Sequence, residues 1–278
     1  MFANIGHTFS LIKQSWRVLM QDRKLILFPI MGGAALLLVL AVFAGIAATT
    51  GSLDRIDTAV GGAETEATPA DMVLSGLLLF TTYFVVMFFN AALIATAIER
   101  LRGRPATVGY GIQKASSHIP AIIGWAIIAA TVGLILNALR DRTDGFLGQI
   151  ALAIAGGVWA YMTFFVVPVL IIEGLGPIAA IKRSGALLKS TWGNQVTANF
   201  GFMFLYIGAA LVAFLPAALL FSISPVLGLT VGVALVALAM GTVQALEGIF
   251  KAALYDFATG STPMGFEQTD MRSAYRAL

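Results

Sequence analysis

Apolar positions in this chain come in long unbroken runs, not in the short alternating patterns of a soluble core. Crossing roughly 30 Å of hydrocarbon takes about 20 mostly apolar residues in a helix. Six stretches meet that requirement: 25–49, 72–98, 119–139, 146–172, 196–222 and 225–250. The last two are separated only by Ile223-Ser224. Pro225 suits the first turn of a new helix; if that turn failed, one bent element and five spans would remain. Ahead of the first run the pattern changes. Ile5, Phe9, Ile12, Trp16 and Leu19 recur at steps of three and four, with Lys13, Gln14, Arg17 and Gln21 on other faces. This spacing predicts an amphipathic helix lying in the membrane interface, with Trp16, Lys13 and Arg17 at headgroup level. Similar basic, half-apolar stretches precede the third span (Ile112-Gln113-Lys114-Ala115) and the fifth (Ile181-Lys182-Arg183-Ser184).

Composition sharpens the picture. Hydrophobic residues make up 59% of the chain and charged ones 11%, against roughly 25% charged in a soluble domain. So few charges do not cover a water-exposed surface, and a bilayer supplies the missing apolar solvent. The first run, Leu25 to Ala48, is longer than the roughly 7–15 residues of a signal-peptide core and reads as an uncleaved span. With no cysteine, disulfides, thiolate metal sites and cysteine nucleophiles are excluded.

Charge then orients the spans. Of 17 Lys and Arg residues, only Arg55, Arg140 and Arg142 fall on one side of the alternating topology; the other 14 share the side of both termini. The positive-inside rule predicts a multi-pass membrane protein with N- and C-termini cytosolic. The basic pI thus records insertion and implies no nucleic acid. The 50–71 loop, with Asp54, Asp57, Glu64, Glu66 and Asp71, is expected outside as a flexible excursion.

A longer-range pattern is also present. The even-numbered spans end in Ile98-Glu99-Arg100-Leu101, Ile172-Glu173-Gly174-Leu175 and Leu246-Glu247-Gly248-Ile249. Their glutamates are spaced 74 and 74 residues apart (173 − 99 and 247 − 173). Fixed-period self-similarity is the signature of repeated units. The expected fold is therefore an all-α membrane protein: six transmembrane helices as three parallel-topology helical hairpin repeats with cytosolic interfacial amphipathic helices. The repeats cover about residues 1–100, 101–174 and 175–250 of a 1–250 transmembrane domain, and 251–278 form a cytosolic tail. Parallel repeats place a pseudo-symmetry axis along the membrane normal.

Three segments carry a resemblance over the whole chain: Phe88-Phe89-Asn90-Ala91-Ala92-Leu93, Gly111-Ile112 through Trp125-Ala126, and Ala180-Ile181-Lys182-Arg183-Ser184. With these the chain resembles an uncharacterised family of prokaryotic six-span membrane proteins known only as a domain of unknown function. The last segment is also similar to the membrane domain beside some glycerophosphodiester phosphodiesterases. No activity comes with the resemblance, and the phosphodiesterase catalytic domain has no counterpart here.

Candidate chemistry is sparse. Glu99, Glu173 and Glu247 sit near helix C-termini, where the dipole disfavours negative charge. Two readings compete: a structural ion pair from each to a basic group such as Lys13, Lys114, Lys182, Arg183 or Lys251, or a carboxylate ring drawing cations to a cytosolic mouth. Asn90, Asn137, Asn199, Gln149, Gln244 and Thr242 are polar positions within spans. Such residues usually bond neighbouring helices for about 1 kcal/mol each, and Asn90 is the deepest and a candidate ligand contact. His7 and His118 lack metal-site spacing. No phosphate or dinucleotide loop occurs, and no span pairs a nucleophile with a histidine base. The expectation is a non-enzymatic protein without cofactor or metal. Its function is transport or permeation of an ion, small solute or lipid; the alternative is a scaffold for another membrane protein. Its partners would be the lipid bilayer and either a second copy or that protein.

Overall fold

In a computed structural model, residues 2–55, 68–143, 145–192 and 199–273 are described, and they are helical with no strand among them. The acidic part of the 50–71 loop, with Asp57, Glu64 and Glu66, lies outside the described residues, as do the side chains of Ile5, His7, Phe9 and Asn199.

The chain opens with α1 (Phe2–Gln21), a turn of 3-10 helix at Arg23–Ile26, and α2 (Leu27–Thr49). A long α3 (Pro69–Leu101) follows, then the short α4 (Val108–Ser116), α5 (Ile119–Asp141) and α6 (Phe146–Thr163). A turn leads into α7 (Val166–Pro168), which runs on as π-helix through Glu173. Then come α8 (Pro177–Trp192), α9 (Asn199–Ile223), α10 (Pro225–Ala258) and α11 (Gln268–Ser273). Six helices are long and apolar enough to cross a membrane: Arg23–Thr49, Pro69–Leu101, Ile119–Arg140, Leu147–Glu173, Leu205–Ile223 and Val231–Ala258. The chain thus has the architecture of a multi-pass membrane protein, with a short helix ahead of the first, third and fifth spans.

Local chemistry explains the helix ends. Pro69 opens α3 inside a reciprocal capping box between Thr68 and Asp71, which satisfies two otherwise orphaned donors. Asp71 also takes a bidentate pair from Arg55, at 2.8 Å to Nε and 2.7 Å to Nη2. Pro225 begins α10 directly after Ser224, so the last apolar stretch forms two helices. Small residues let those two meet: a Cβ on Gly228 would lie 2.3 Å from Phe221 Cα, and one on Gly232 2.7 Å from Ala217 Cβ. The fourth span breaks at Phe164-Phe165, four residues before Pro168, whose ring displaces the carbonyl one turn back. The Phe165 N–H donates instead to the buried Ser184 hydroxyl at 2.9 Å.

Burial is strongly polarised. Ala91–Ile98 and Leu101 of α3, 245–255 of α10 apart from its polar positions, Phe165–Ile171, Leu11, Ile12, Val18 and Leu19 of α1 and the inner face of α8 form one continuous core. At the other end, large apolar side chains are exposed: Leu38 67%, Met72 67%, Leu147 81%, Val212 72% and Ile223 78%. Such apolar exposure around the described helices is the surface a bilayer covers. The α3 helix, with 33 residues, is about 50 Å long, roughly 20 Å more than the hydrocarbon requires. The surplus is the Ala91–Leu101 segment, sunk in the core.

Two expectations change. The sequence stripe puts Trp16 on a shared apolar face and Gln14 elsewhere; the structure buries Leu11, Gln14, Ser15 and Leu19 and leaves Trp16 45% exposed. Periodicity does not separate an apolar face that meets protein from one that meets lipid, because both environments are apolar. Secondly, 251–258, assigned to a tail, are the last turns of α10. The chain beyond them is docked: Met264 N–H donates to Leu101 O at 2.8 Å, Glu267 N–H to Gln14 Oε1 at 3.1 Å, and Met271 is buried.

Candidate functional site

The three glutamates stand at the boundary of this core, and each carries a cation. Glu99, two residues from the end of α3, is gripped by Arg104 through Nε and, at 2.6 Å, through Nη2. Glu173, at the end of the π-helical turn, accepts from Arg183 Nε at 3.0 and 3.1 Å. Glu247, inside α10, pairs with Lys251 at 2.7 Å. Of the expected partners, Arg183 and Lys251 serve. Lys13, Lys114 and Lys182 do not pair with a glutamate among the described residues, and Arg104 serves in their place.

A tyrosine hydroxyl completes two of the clusters and a third tyrosine feels the charge of Glu99, which the sequence reading missed. The Tyr255 hydroxyl donates to Glu173 at 3.1 Å and the Tyr206 hydroxyl to Glu247 at 2.8 Å. Burial, then the nearby charge of Glu99, pushes the Tyr110 hydroxyl above the ordinary phenol range. Hydrogen bonds to a carboxylate are the stronger kind, and they offset the desolvation and dipole costs at a helix C-terminus. The tyrosines come from three different places in the chain, so no spacing in the sequence pointed to them.

The glutamates are not level. A Cβ on Gly248 would lie 2.4 Å from Leu93 Cδ2, and Arg102 pairs with Asp256 further along. These contacts set Glu247 about 10 Å nearer the exposed apolar end than Glu99, at 1.5 Å rise per residue. They therefore do not form one ring at a single depth.

Two further ion pairs tie the core together. Asp256 is fully buried and accepts from Arg102 Nε at 2.6 Å, while its other oxygen has no hydrogen-bond partner among the described residues. Arg100 Nε lies 2.7 Å from Asp22, and Asp22 also caps the 3-10 turn through Lys24 N–H. The family-like segments are explained by contacts at this core. Arg183 and Ser184 hold Glu173 and the break at Phe165. Gly111 sits so close to α3 that a Cβ would lie 2.3 Å from Thr96 Oγ1 and 2.5 Å from Ala92 O. Trp125 stacks on Trp159 at 5.8 Å between ring centroids.

Asn90 lies elsewhere. With Gln244 it faces a cavity of about 730 Å³ between α2, α3 and α10, walled by Pro29, Gly33, Phe89 and Leu93 among others. Neither amide has a hydrogen-bond partner among the described residues. His118 Nδ1 lies 2.8 Å from Lys114 O. No group of three or more metal-ligating side chains occurs among the described residues.

A family profile matches residues 70–265, from the start of α3 to just beyond α10. The chain belongs to the family of unknown function DUF6159. The matched region contains all three glutamate clusters, the Arg102–Asp256 pair, Asn90 and Gln244, while α1 and α2 lie before it. No curated protein and no solved structure matches.

Proposed function

We propose that this DUF6159 protein is a multi-pass protein of a bacterial cytoplasmic membrane, with both termini cytosolic, that binds and moves a lipid-like amphipathic molecule. The observation that carries this reading is the α2–α3–α10 cavity, whose walls are apolar except for two amides without partners. An amide left unbonded in an apolar medium costs a few kcal/mol. An occupant with an apolar chain and an ester or hydroxyl removes that cost. The cation-ring reading is the weaker one, because each carboxylate is already paired with a cation and Glu247 lies at a different depth from Glu99. The element order, a short helix followed by two spans three times over, supports three parallel repeats descended from one hairpin unit.

The test is reconstitution into vesicles, following movement of a fluorescent phospholipid in one arm and of sodium or potassium in the other. Lipid movement without cation flux is expected, with Asn90→Leu/Gln244→Leu slowing it by about 5–100-fold. That range corresponds to two hydrogen bonds at ~0.5–1.5 kcal/mol each. A wild-type protein that moves no lipid would leave the scaffold role in its place.

A further inference from the structure

A second groove opens on the opposite side of α10. It measures about 890 Å³ and lies between α1, α9 and α10, with Lys13 and Trp16 in its lining. Its walls run from Leu205 to Pro216 on α9 and from Leu246 back to Leu235 on α10. Each wall is eleven residues of helical rise, about 16 Å. That is close to half of the roughly 30 Å hydrocarbon thickness, the depth of one leaflet. The wall surface is almost wholly apolar, and its Thr242 hydroxyl is spent on Leu238 O at 2.7 Å. Lys13 is exposed and has no carboxylate partner among the described residues, and Trp16 beside it is 45% exposed. A Trp and a Lys on an amphipathic helix are the pair that settles at headgroup level.

We propose that this groove holds one anionic phospholipid of the cytosolic leaflet, its acyl chain between α9 and α10 and its phosphate on Lys13. The inference rests on the cytosolic placement of α1 proposed above, and it does not depend on the Asn90 cavity. Charge and length select the occupant. A partner transmembrane helix would need a seam across the full bilayer, about 20 residues, whereas this groove stops at Pro216 and Leu235, half-way. A zwitterionic lipid would fill the apolar part equally well but gain less at Lys13.

The experiment is native mass spectrometry of the full chain in detergent, titrated with phosphatidylglycerol or phosphatidylcholine of identical acyl chains. Wild type should retain one phosphatidylglycerol in preference to phosphatidylcholine. Lys13→Gln should reduce that preference about five-fold, the ~1 kcal/mol one basic residue contributes at an anionic surface, and Lys13→Arg should restore it. Gly208→Phe places a ring in the groove, where a Cβ meets nothing within 4 Å, and should abolish retention of both lipids with the fold intact. Equal retention by wild type and Lys13→Gln overturns the phosphate assignment. Unchanged retention in Gly208→Phe overturns the groove. A change of oligomeric state in Gly208→Phe would show that a second copy covers the groove and would also overturn the proposal. In the same samples Asn90→Leu/Gln244→Leu should leave this lipid in place, so failure here and failure of the transport reading are told apart.

Discussion

Arg102→Met is the sharpest probe of the buried core. Asp256 is fully buried and its pairing with Arg102, at 2.6 Å, is the contact that balances its charge; its second oxygen already lacks a hydrogen bond among the described residues. Removing Arg102 strands a buried carboxylate, which costs about 3–5 kcal/mol. By contrast, an ion pair exposed on both sides is worth about 0–1 kcal/mol. Arg102 itself is 26% exposed, so solvent shields part of the loss and the lower end of that range is expected. At roughly 2–4 °C per kcal/mol for a chain of this size, the shift is a drop of about 6–12 °C. Thermal unfolding in detergent, followed by intrinsic fluorescence, reads it directly. The double variant Arg102→Met/Asp256→Leu should recover most of the loss, because replacing both ions with apolar groups removes the desolvation cost. A single-variant drop under about 1 °C, or a double variant no better than the single, would refute the view that Asp256 is a desolvated charge held by Arg102.

Gly111→Ala should destabilise by about 1–3 kcal/mol, as overpacking does, since the added methyl meets Ala92 O and Thr96 on a rigid helix; the same thermal assay checks it. The triple variant Glu99→Gln/Glu173→Gln/Glu247→Gln should lose stability with cation flux in vesicles staying at background; intact stability with altered flux would restore the ring. Tyr110 should titrate above the usual phenol value of about 10 in an ultraviolet difference spectrum against Tyr110→Phe. With its folded value raised, its stabilising contribution is complete below the ordinary value and is lost as pH rises through the raised one. Reporter fusions at Glu64 should read outside the membrane, and fusions after Arg104, Lys189 and Leu278 should read cytosol; a cytosolic signal from Glu64 would reverse the orientation.

The six spans, their order and the short helices before three of them were legible in the chain because they follow from local rules. A run of apolar residues of bilayer length forms a helix whatever surrounds it, and Pro225 starts a helix through its own backbone. The glutamates were visible by their spacing, and so was the Glu247–Lys251 pair, which is four residues apart on one helix. What the chain did not disclose depends on contacts between distant segments. Tyr255 reaches Glu173 across 82 residues and Arg102 reaches Asp256 across 154; no periodicity links them. The continuation of α10 to Ala258 was hidden because Lys251 and Asp256 look like a span's end until Glu247 and Arg102 neutralise them. The face of α1 that meets protein was hidden as well, since lipid and protein interior select the same apolar residues. Only the packing of α1 against α10 decides that Leu11 and Leu19 turn inward and Trp16 turns out.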